Sequence, residues 1–341
     1  MKQKIYLIDM RFSSSGHYMD DLKEFRTLNK KYNCYYLANT SSNIEMNGFK
    51  IKTYKNALFF YINLFFLLLK TRHGKIIFLS ASYLPLLILS LLSVNFNYKF
   101  RIHALPTIRI SLYKRVIKFL SDMSTHTIFL DKPVLDFFID NNLVNINKSK
   151  VLIGRTINHA NHSVDFSSRS SDNKFKLTYI GALNDEKDLL PIIKGLSSQK
   201  IPGLELGFYS KGIKKYKNEL EALTIIYPST EIIDSFLSRE EYDSIIHRSD
   251  ALILPYKKTY GVRFSAVLND ALRLGKPVLT INLPQFKYYK DKYNACSLYS
   301  DHNEIIKSVT SLINNPDIDI DLLNYDYSER IKEKQIKELE L

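Results

Sequence analysis

Residues 249–280 read SDALILPYKKTYGVRFSAVLNDALRLGKPVLT. Within them 251–255 is a short apolar run of the kind that fits a strand buried on both faces, and Val267, Leu268, Ala271 and Leu272 recur with helical spacing. Gly275 stands where a helix C-cap belongs, and Pro277-Val278-Leu279 opens a further strand. The order is strand, irregular loop, helix, strand, with the polar residues gathered in the loop. It sets residues 260–265 at the carboxyl end of a parallel strand and at a helix N-terminus, where amides and the helix dipole favour a phosphate. Arg263 adds a planar, permanently charged fork for the same anion.

Outward from this stretch the chain alternates between strand-like and helix-like segments. Strands are expected at 4–9, 35–37, 75–79, 100–103 and 127–130, with helices at 18–28, 57–69, 85–92 and 112–120. A second such series starts at Lys176 and runs through 204–208, 231–233, 251–254 and 278–280. Between the two series, SVDFSSRSSDN at 163–173 is polar, serine-rich and without periodicity, as a linker is. The pattern is that of an α/β protein with two parallel sheets, and 341 residues suit two domains of ordinary size.

The net charge of +13 lies entirely in the first half: residues 1–150 carry 22 Lys+Arg against 9 Asp+Glu, and the remainder 26 against 26. An anionic partner for that half follows, be it nucleic acid, an acidic membrane leaflet or a diphosphate-bearing acceptor. The apolar runs 57–69 (ALFFYINLFFLLL) and 83–94 (YLPLLILSLLSV) are shorter than the roughly 18 to 20 residues that span a bilayer, and are read as helices buried against the sheet. The basic segment 98–118, whose Lys99, Arg101, Arg109, Lys114, Arg115 and Lys118 are interleaved with aliphatic and aromatic residues, is read as the membrane-facing element. The chain opens as a strand without the layout of a signal peptide, and Cys34 and Cys296 have no metal-ligand spacing, which suits a cytoplasmic protein with reduced thiols.

Two segments carry a resemblance to a known family. Asp250, Pro255, Asp270-Ala271 and Gly275-Lys276-Pro277-Val278 fall in register with the C-terminal nucleotide-sugar domain of GT-B glycosyltransferases, in particular the GT4-like group active on bacterial surface polysaccharides. Upstream, LTYIG at 177–181 followed by ALNDEK resembles that group's strand-Gly-Arg-Leu…Glu-Lys segment, whose arginine and lysine bind the donor diphosphate. A weaker match is FYSKG at 208–212. The chain departs from the pattern at Ala182, where the arginine is expected, at Asp270, where the second glutamate is expected, and at Val262, where the first one is.

The resemblance implies two Rossmann-like domains facing a cleft: an acceptor and membrane-facing domain over 1–165, a nucleotide-sugar domain over 174–325, and a terminal helix over 326–341. It implies a nucleotide-diphosphate sugar as co-substrate, no cofactor or metal, and a lipid-linked or saccharide acceptor in cell-surface polysaccharide or glycolipid synthesis. Lys187 would hold the diphosphate, with Arg263 replacing the missing arginine; Gly181, Tyr260, Gly261 and Ser265 would complete the cradle, and Asp270 would hold the ribose. His103, at a strand end, would face the transferred sugar, and Gly16 and His17 the acceptor. Each has a plainer reading as well: Ser13–15 as a helix cap, His103 as a core histidine, and the DIDID run at 317–321 as a helix N-terminus rather than a metal site. A nucleic-acid-binding protein would also explain the basic half, but no RNA- or DNA-binding motif is present. A nicotinamide-dependent oxidoreductase would share the sheets, yet SSSGH follows the first strand in place of GxGxxG. The expected setting is the cytoplasm, on the inner face of the cell membrane.

Overall fold

The computed structural model describes residues 2–10, 25, 28, 29, 31–40, 45, 47–71, 75–80, 83–92, 98–102, 110–153 and 174–339. The chain divides into two compact units, one of Met1–Arg155 with Arg330–Leu341, the other of Thr156–Glu329.

The first unit holds strands β1 (Lys4–Asp9), β2 (Asn33–Asn39), β3 (Phe49–Tyr54), β4 (Lys75–Ser80), β5 (Tyr98–Ile102), β6 (His126–Phe129) and β7 (Ser149–Val151). They form one sheet in the order β3-β2-β1-β4-β5-β6-β7, every pairing parallel. Helices α1 (Ala57–Lys70), α2 (Tyr83–Leu92), α3 (Ile110–Met123) and α4 (Lys132–Asp140) join β3 to β7. These four connections run the same way along the sheet, and right-handed crossovers put their helices on one face. On the opposite face Ile5, Leu7, Tyr36, Ala38, Ile77 and Leu79 pack with Phe25, Leu28 and, from the chain's end, Ile336 and Leu339. Within the expected terminal helix over 326–341 a helix runs over 329–338. The chain forms α11 (Ile320–Asp326) and α12 (Glu329–Glu338), and α12 belongs with the first unit, where Gln335 Oε1 accepts from the Ile153 amide at 3.0 Å. Apolar Ile336 and Leu339 need a core to bury them, and the sheet supplies it.

The second unit holds β8 (Phe175–Ile180), α5 (Leu190–Ser198), β9 (Leu204–Tyr209), α6 (Lys217–Ile226), β10 (Glu231–Ile233), α7 (Arg239–His247), β11 (Ala251–Leu254), α8 (Ala266–Arg273), β12 (Val278–Ile281), α9 (Pro284–Tyr293), β13 (Cys296–Tyr299) and α10 (Ile305–Asn314), with α11 after them. Its sheet is also parallel, in the order β10-β9-β8-β11-β12-β13. Strand order reverses between β8 and β11, which lie side by side with Ile253 opposite Tyr179. Ligands of open α/β sheets settle at such switch points, outside the carboxyl ends of the strands.

Helix α8 ends as its sequence says: Gly275 takes φ +64°, its amide donates to Leu272 O and that of Lys276 to Ala271 O, a Schellman cap. The DIDID run begins a helix, with Asp319 accepting from the Leu322 amide at 2.9 Å as N-cap of α11.

One expectation about the first unit is overturned, and another holds on one face only. Lys99 and Arg101 are interior residues of β5, and the Arg101 Nε donates to Leu79 O at 2.8 Å, so residues 98–102 cannot be a membrane face. Conversely α1 is not buried all round: only Phe60, Leu64 and Leu68 are buried, and Leu58, Phe59, Ile62, Phe66 and Leu69 are exposed. A helix lying on a sheet hides one stripe, and among the described residues no second layer covers the rest.

Candidate functional site

The loops leaving β8 and β11 come together at the switch point of the second unit. Gly181 ends β8 at φ +111°, a conformation side chains rarely adopt. Asn184 then turns the chain: its side-chain oxygen accepts from the Glu186 amide and its carbonyl from the Lys187 amide, each at 3.1 Å. Lys187 makes an antiparallel bridge to Tyr256, flanked by hydrogen bonds from Asp188 N to Pro255 O at 2.7 Å and from Lys257 N to Glu186 O at 2.9 Å. The two loops are therefore held as one piece.

Lys187 is the unusual residue of this piece, because it is only 8% exposed and no carboxylate among the described residues bonds it. Its ammonium donates to Ala182 O at 2.8 Å and lies 5.8 Å and 5.9 Å from the Tyr179 and Tyr256 ring centroids. Burial pushes its pKa down to about 8, partly opposed by the neighbouring Glu186. A methyl group at Gly181 would meet the Lys187 ammonium at 3.7 Å and Val267 Cγ2 at 3.8 Å, which puts Gly181, Lys187 and the first turn of α8 around one point.

Ser265 caps α8, its Oγ accepting from the Leu268 amide at 3.2 Å and sharing a 2.8 Å hydrogen bond with the Tyr256 hydroxyl. Its hydroxyl is thus already engaged, while the amides of Ala266 and Val267 have no acceptor within the helix. Tyr256 and Tyr260 stack at 3.8 Å, with Phe286 on the same stack. Gly261 takes φ +65°, and its carbonyl accepts from Gln285 Nε2 at 2.7 Å.

Arg263 does not stand free, as a bare replacement for the missing arginine would. Its guanidinium forms an ion pair with Glu186 and lies 4.7 Å from the centroid of the Tyr260 ring. Its Nε is buried with no partner among the described residues, as are Asn269 Oδ1 in α8 and Gln285 Oε1 in α9. Asp270 is buried on α8, and Arg239 reaches it at 3.5 Å while also bonding Asp243 at 2.9 Å. Lys211 lies over the Phe236 ring at 4.2 Å.

Of the residues singled out in the sequence, Gly181, Lys187, Tyr260, Gly261, Arg263 and Ser265 are thus drawn together, and Asp270 lies on α8, which Ser265 caps. His103, Gly16 and His17 fall outside the described residues. Sequence reasoning missed Glu186, Tyr256, Gln285 and Arg239. Glu186 sat beside Lys187 and was a charge to be balanced, and Tyr256 stood in the same loop as Tyr260 and Ser265; Gln285 and Arg239 meet the site only through tertiary packing and left no local signal.

No protein-family profile matches the chain, and no curated protein does. Solved structures do. The chain is similar to the apo form of the lipopolysaccharide outer core galactosyltransferase WaaB, with 14% identity, 98% of each chain covered and a TM-score of 0.72. It is similar to Anabaena HepE in complex with UDP and glucose, with 12% identity, 99% of each chain covered and a TM-score of 0.69. A third is the sucrose-phosphate synthase of Thermosynechococcus elongatus, with 13% identity, 99% of this chain and 98% of that one covered, and a TM-score of 0.69. Two parallel Rossmann-like sheets matched over nearly the whole of each chain make this the GT-B fold.

Proposed function

We propose that the protein is a glycosyltransferase that takes its sugar from a nucleoside diphosphate, bound at the β8–β11 switch point. The observation that carries this reading is Lys187: a buried ammonium held by one carbonyl, beside a positive-φ glycine and the N-terminus of α8. A buried cation without a bonded counter-charge is costly, and a diphosphate supplies the missing one. In the transfer step the bond from the anomeric carbon to the diphosphate oxygen breaks while the acceptor hydroxyl oxygen bonds to that carbon and gives up its proton to the departing diphosphate or to water. Negative charge then grows on the departing diphosphate. Lys187, the Arg263 donors left over by Glu186 and the first amides of α8 would meet that charge. Asp270 would reach the ribose after release from Arg239, and His103 would face the sugar. Because these cations belong to the chain, we expect transfer to need no divalent metal. The acceptor would be a saccharide or a lipid-linked one in surface polysaccharide synthesis, with the basic first half resting on an anionic membrane. HepE, crystallised with UDP and glucose, makes UDP the first nucleotide to try.

Calorimetry of UDP, GDP, CDP and ADP, followed by mass-spectrometric detection of transfer from the matching sugar nucleotide in EDTA, tests the proposal. Saturable binding of one diphosphate and metal-free transfer are expected. Failure of all four to bind would end the reading, and activity that EDTA abolishes and Mg²⁺ restores would end its metal-independent part.

A further inference from the structure

Helix α1 is apolar along most of its length, Asn63 and Lys70 being its polar residues apart from the Tyr61 hydroxyl, and its sides differ in surroundings. At about 100° per residue, Leu58, Phe59, Ile62, Phe66 and Leu69 fall within an arc of about 100° that holds no polar residue, opposite the buried Phe60, Leu64 and Leu68. These outward side chains are bare: Leu58, Phe59 and Phe66 are 66%, 61% and 63% exposed. Exposed faces of helices in a water-surrounded protein carry polar groups; this one carries none.

Phe66 and Leu69 also form one wall of a groove of about 860 Å³ between α1 and the sheet. Its floor is aromatic, from Tyr6, Tyr35 and Tyr54. Around it stand Lys4, Lys50, Lys52 and Lys70, and no carboxylate among the described residues lines it. Three of these ammonium groups rest near tyrosine faces: Lys4 and Lys50 at 5.9 Å and 5.4 Å from the Tyr35 centroid, and Lys52 at 5.0 Å from that of Tyr54. On the same side of the sheet α2 exposes Ile88 and Leu91, and α3 exposes Leu112, Phe119 and Arg115.

We propose that α1 and the lysine-rimmed groove beside it form the seat of this protein on a bilayer containing anionic phospholipid. The helix would lie in the plane of the interface, its outward face among the upper acyl carbons and the lysines on lipid phosphates. Its 14 residues reach only about 21 Å, too short to cross. Charge complementarity selects this occupant: lysine is depleted from protein–protein interfaces, whereas an apolar helix flanked by lysines is what an anionic leaflet holds. The inference rests on the membrane attachment proposed above and is independent of the transfer reaction. It centres the contact on α1 and drops residues 98–102, which are interior to β5, from the basic segment.

The chain contains no tryptophan, so one introduced indole reports a single position. In the full-length protein, the indole of Phe59→Trp should shift to the blue and be quenched by bromolipid when phosphatidylcholine vesicles containing phosphatidylglycerol are added, but not with phosphatidylcholine alone. Ile225→Trp, at an 82% exposed site in the second unit, should not respond. Lys50→Glu with Lys52→Glu should lower vesicle affinity by about thirtyfold or more, since each basic group near the surface contributes roughly a fivefold increment and both charges are reversed. No vesicle binding at all would overturn the membrane attachment itself. Binding that leaves the Phe59→Trp emission unshifted would overturn the α1 assignment while leaving attachment standing. A dimer in sedimentation velocity that shields the same indole without lipid would overturn the choice of occupant.

Discussion

Glu186 and Arg263 form an ion pair between the loops that leave β8 and β11, and Glu186 is the residue next to Lys187. One carboxylate therefore serves two cations, and the Arg263 charge reaches the site already partly balanced. A ligand diphosphate would compete with Glu186 for the guanidinium.

Arg263→Ala should weaken UDP binding by about ten- to a hundredfold, the range for losing one or two charge-assisted hydrogen bonds. Part of that loss would come from the Glu186 carboxylate, left facing the phosphates. Adding Glu186→Gln to Arg263→Ala should therefore recover some affinity in calorimetry. A Glu186→Gln variant that loses as much affinity as Arg263→Ala would mean the pair serves only to hold the two loops together.

Lys187→Met should move binding and stability in opposite directions. An ammonium driven from the ordinary lysine range to about 8 is disfavoured in the folded protein by roughly 3 kcal/mol. Methionine fills much of the same volume without the charge, so the unliganded variant should melt higher than the parent at pH 7. UDP affinity should fall by about a hundredfold. Lower stability combined with undiminished UDP binding would remove Lys187 from the site.

The same group sets a pH dependence. Between about pH 8 and the ordinary lysine value near 10.4 the unfolded chain keeps the Lys187 proton and the folded one has lost it. The Lys187 contribution to stability should then rise with pH in that window and be flat below it, seen as the difference between parent and Lys187→Met in urea titrations. Bound diphosphate favours the ammonium, so UDP affinity should be level below pH 8 and decline above it. A decline centred well below pH 7 would point to a different group.

Legibility in the sequence followed the range of the forces. Residues 249–280 could be parsed because a buried parallel strand, a capped helix and a Schellman glycine are each written within a few neighbours. Strand β3 was missed because FKIKTY alternates lysines with apolar residues at the sheet edge, where it is only half buried. The pairing of Asp270 with Arg239 spans 31 positions and that of Glu186 with Arg263 spans 77, and nothing local announces either. Lys99 and Arg101 misled for a related reason: long cationic side chains count as surface until a neighbouring carbonyl, here Leu79 O, accepts from one inside.

Gly181 offers the most local test of where the phosphates go. Alanine there is strained by φ +111°, a cost of about 1 to 3 kcal/mol, and its methyl group would lie 3.7 Å from the Lys187 ammonium. That is van der Waals contact, so the folded protein should tolerate it with a modest drop in melting temperature. The point it occupies is the one that Lys187 and the start of α8 share, so a phosphate oxygen placed there would clash. Gly181→Ala should therefore lose UDP affinity by more than tenfold, well beyond its effect on stability. The matched control is Gly212→Ala, which is similarly strained at φ +86° but opens onto empty space; it should lose comparable stability and keep its affinity. Equal binding losses in the two variants would show that backbone strain, and not an occupied phosphate position, explains the first.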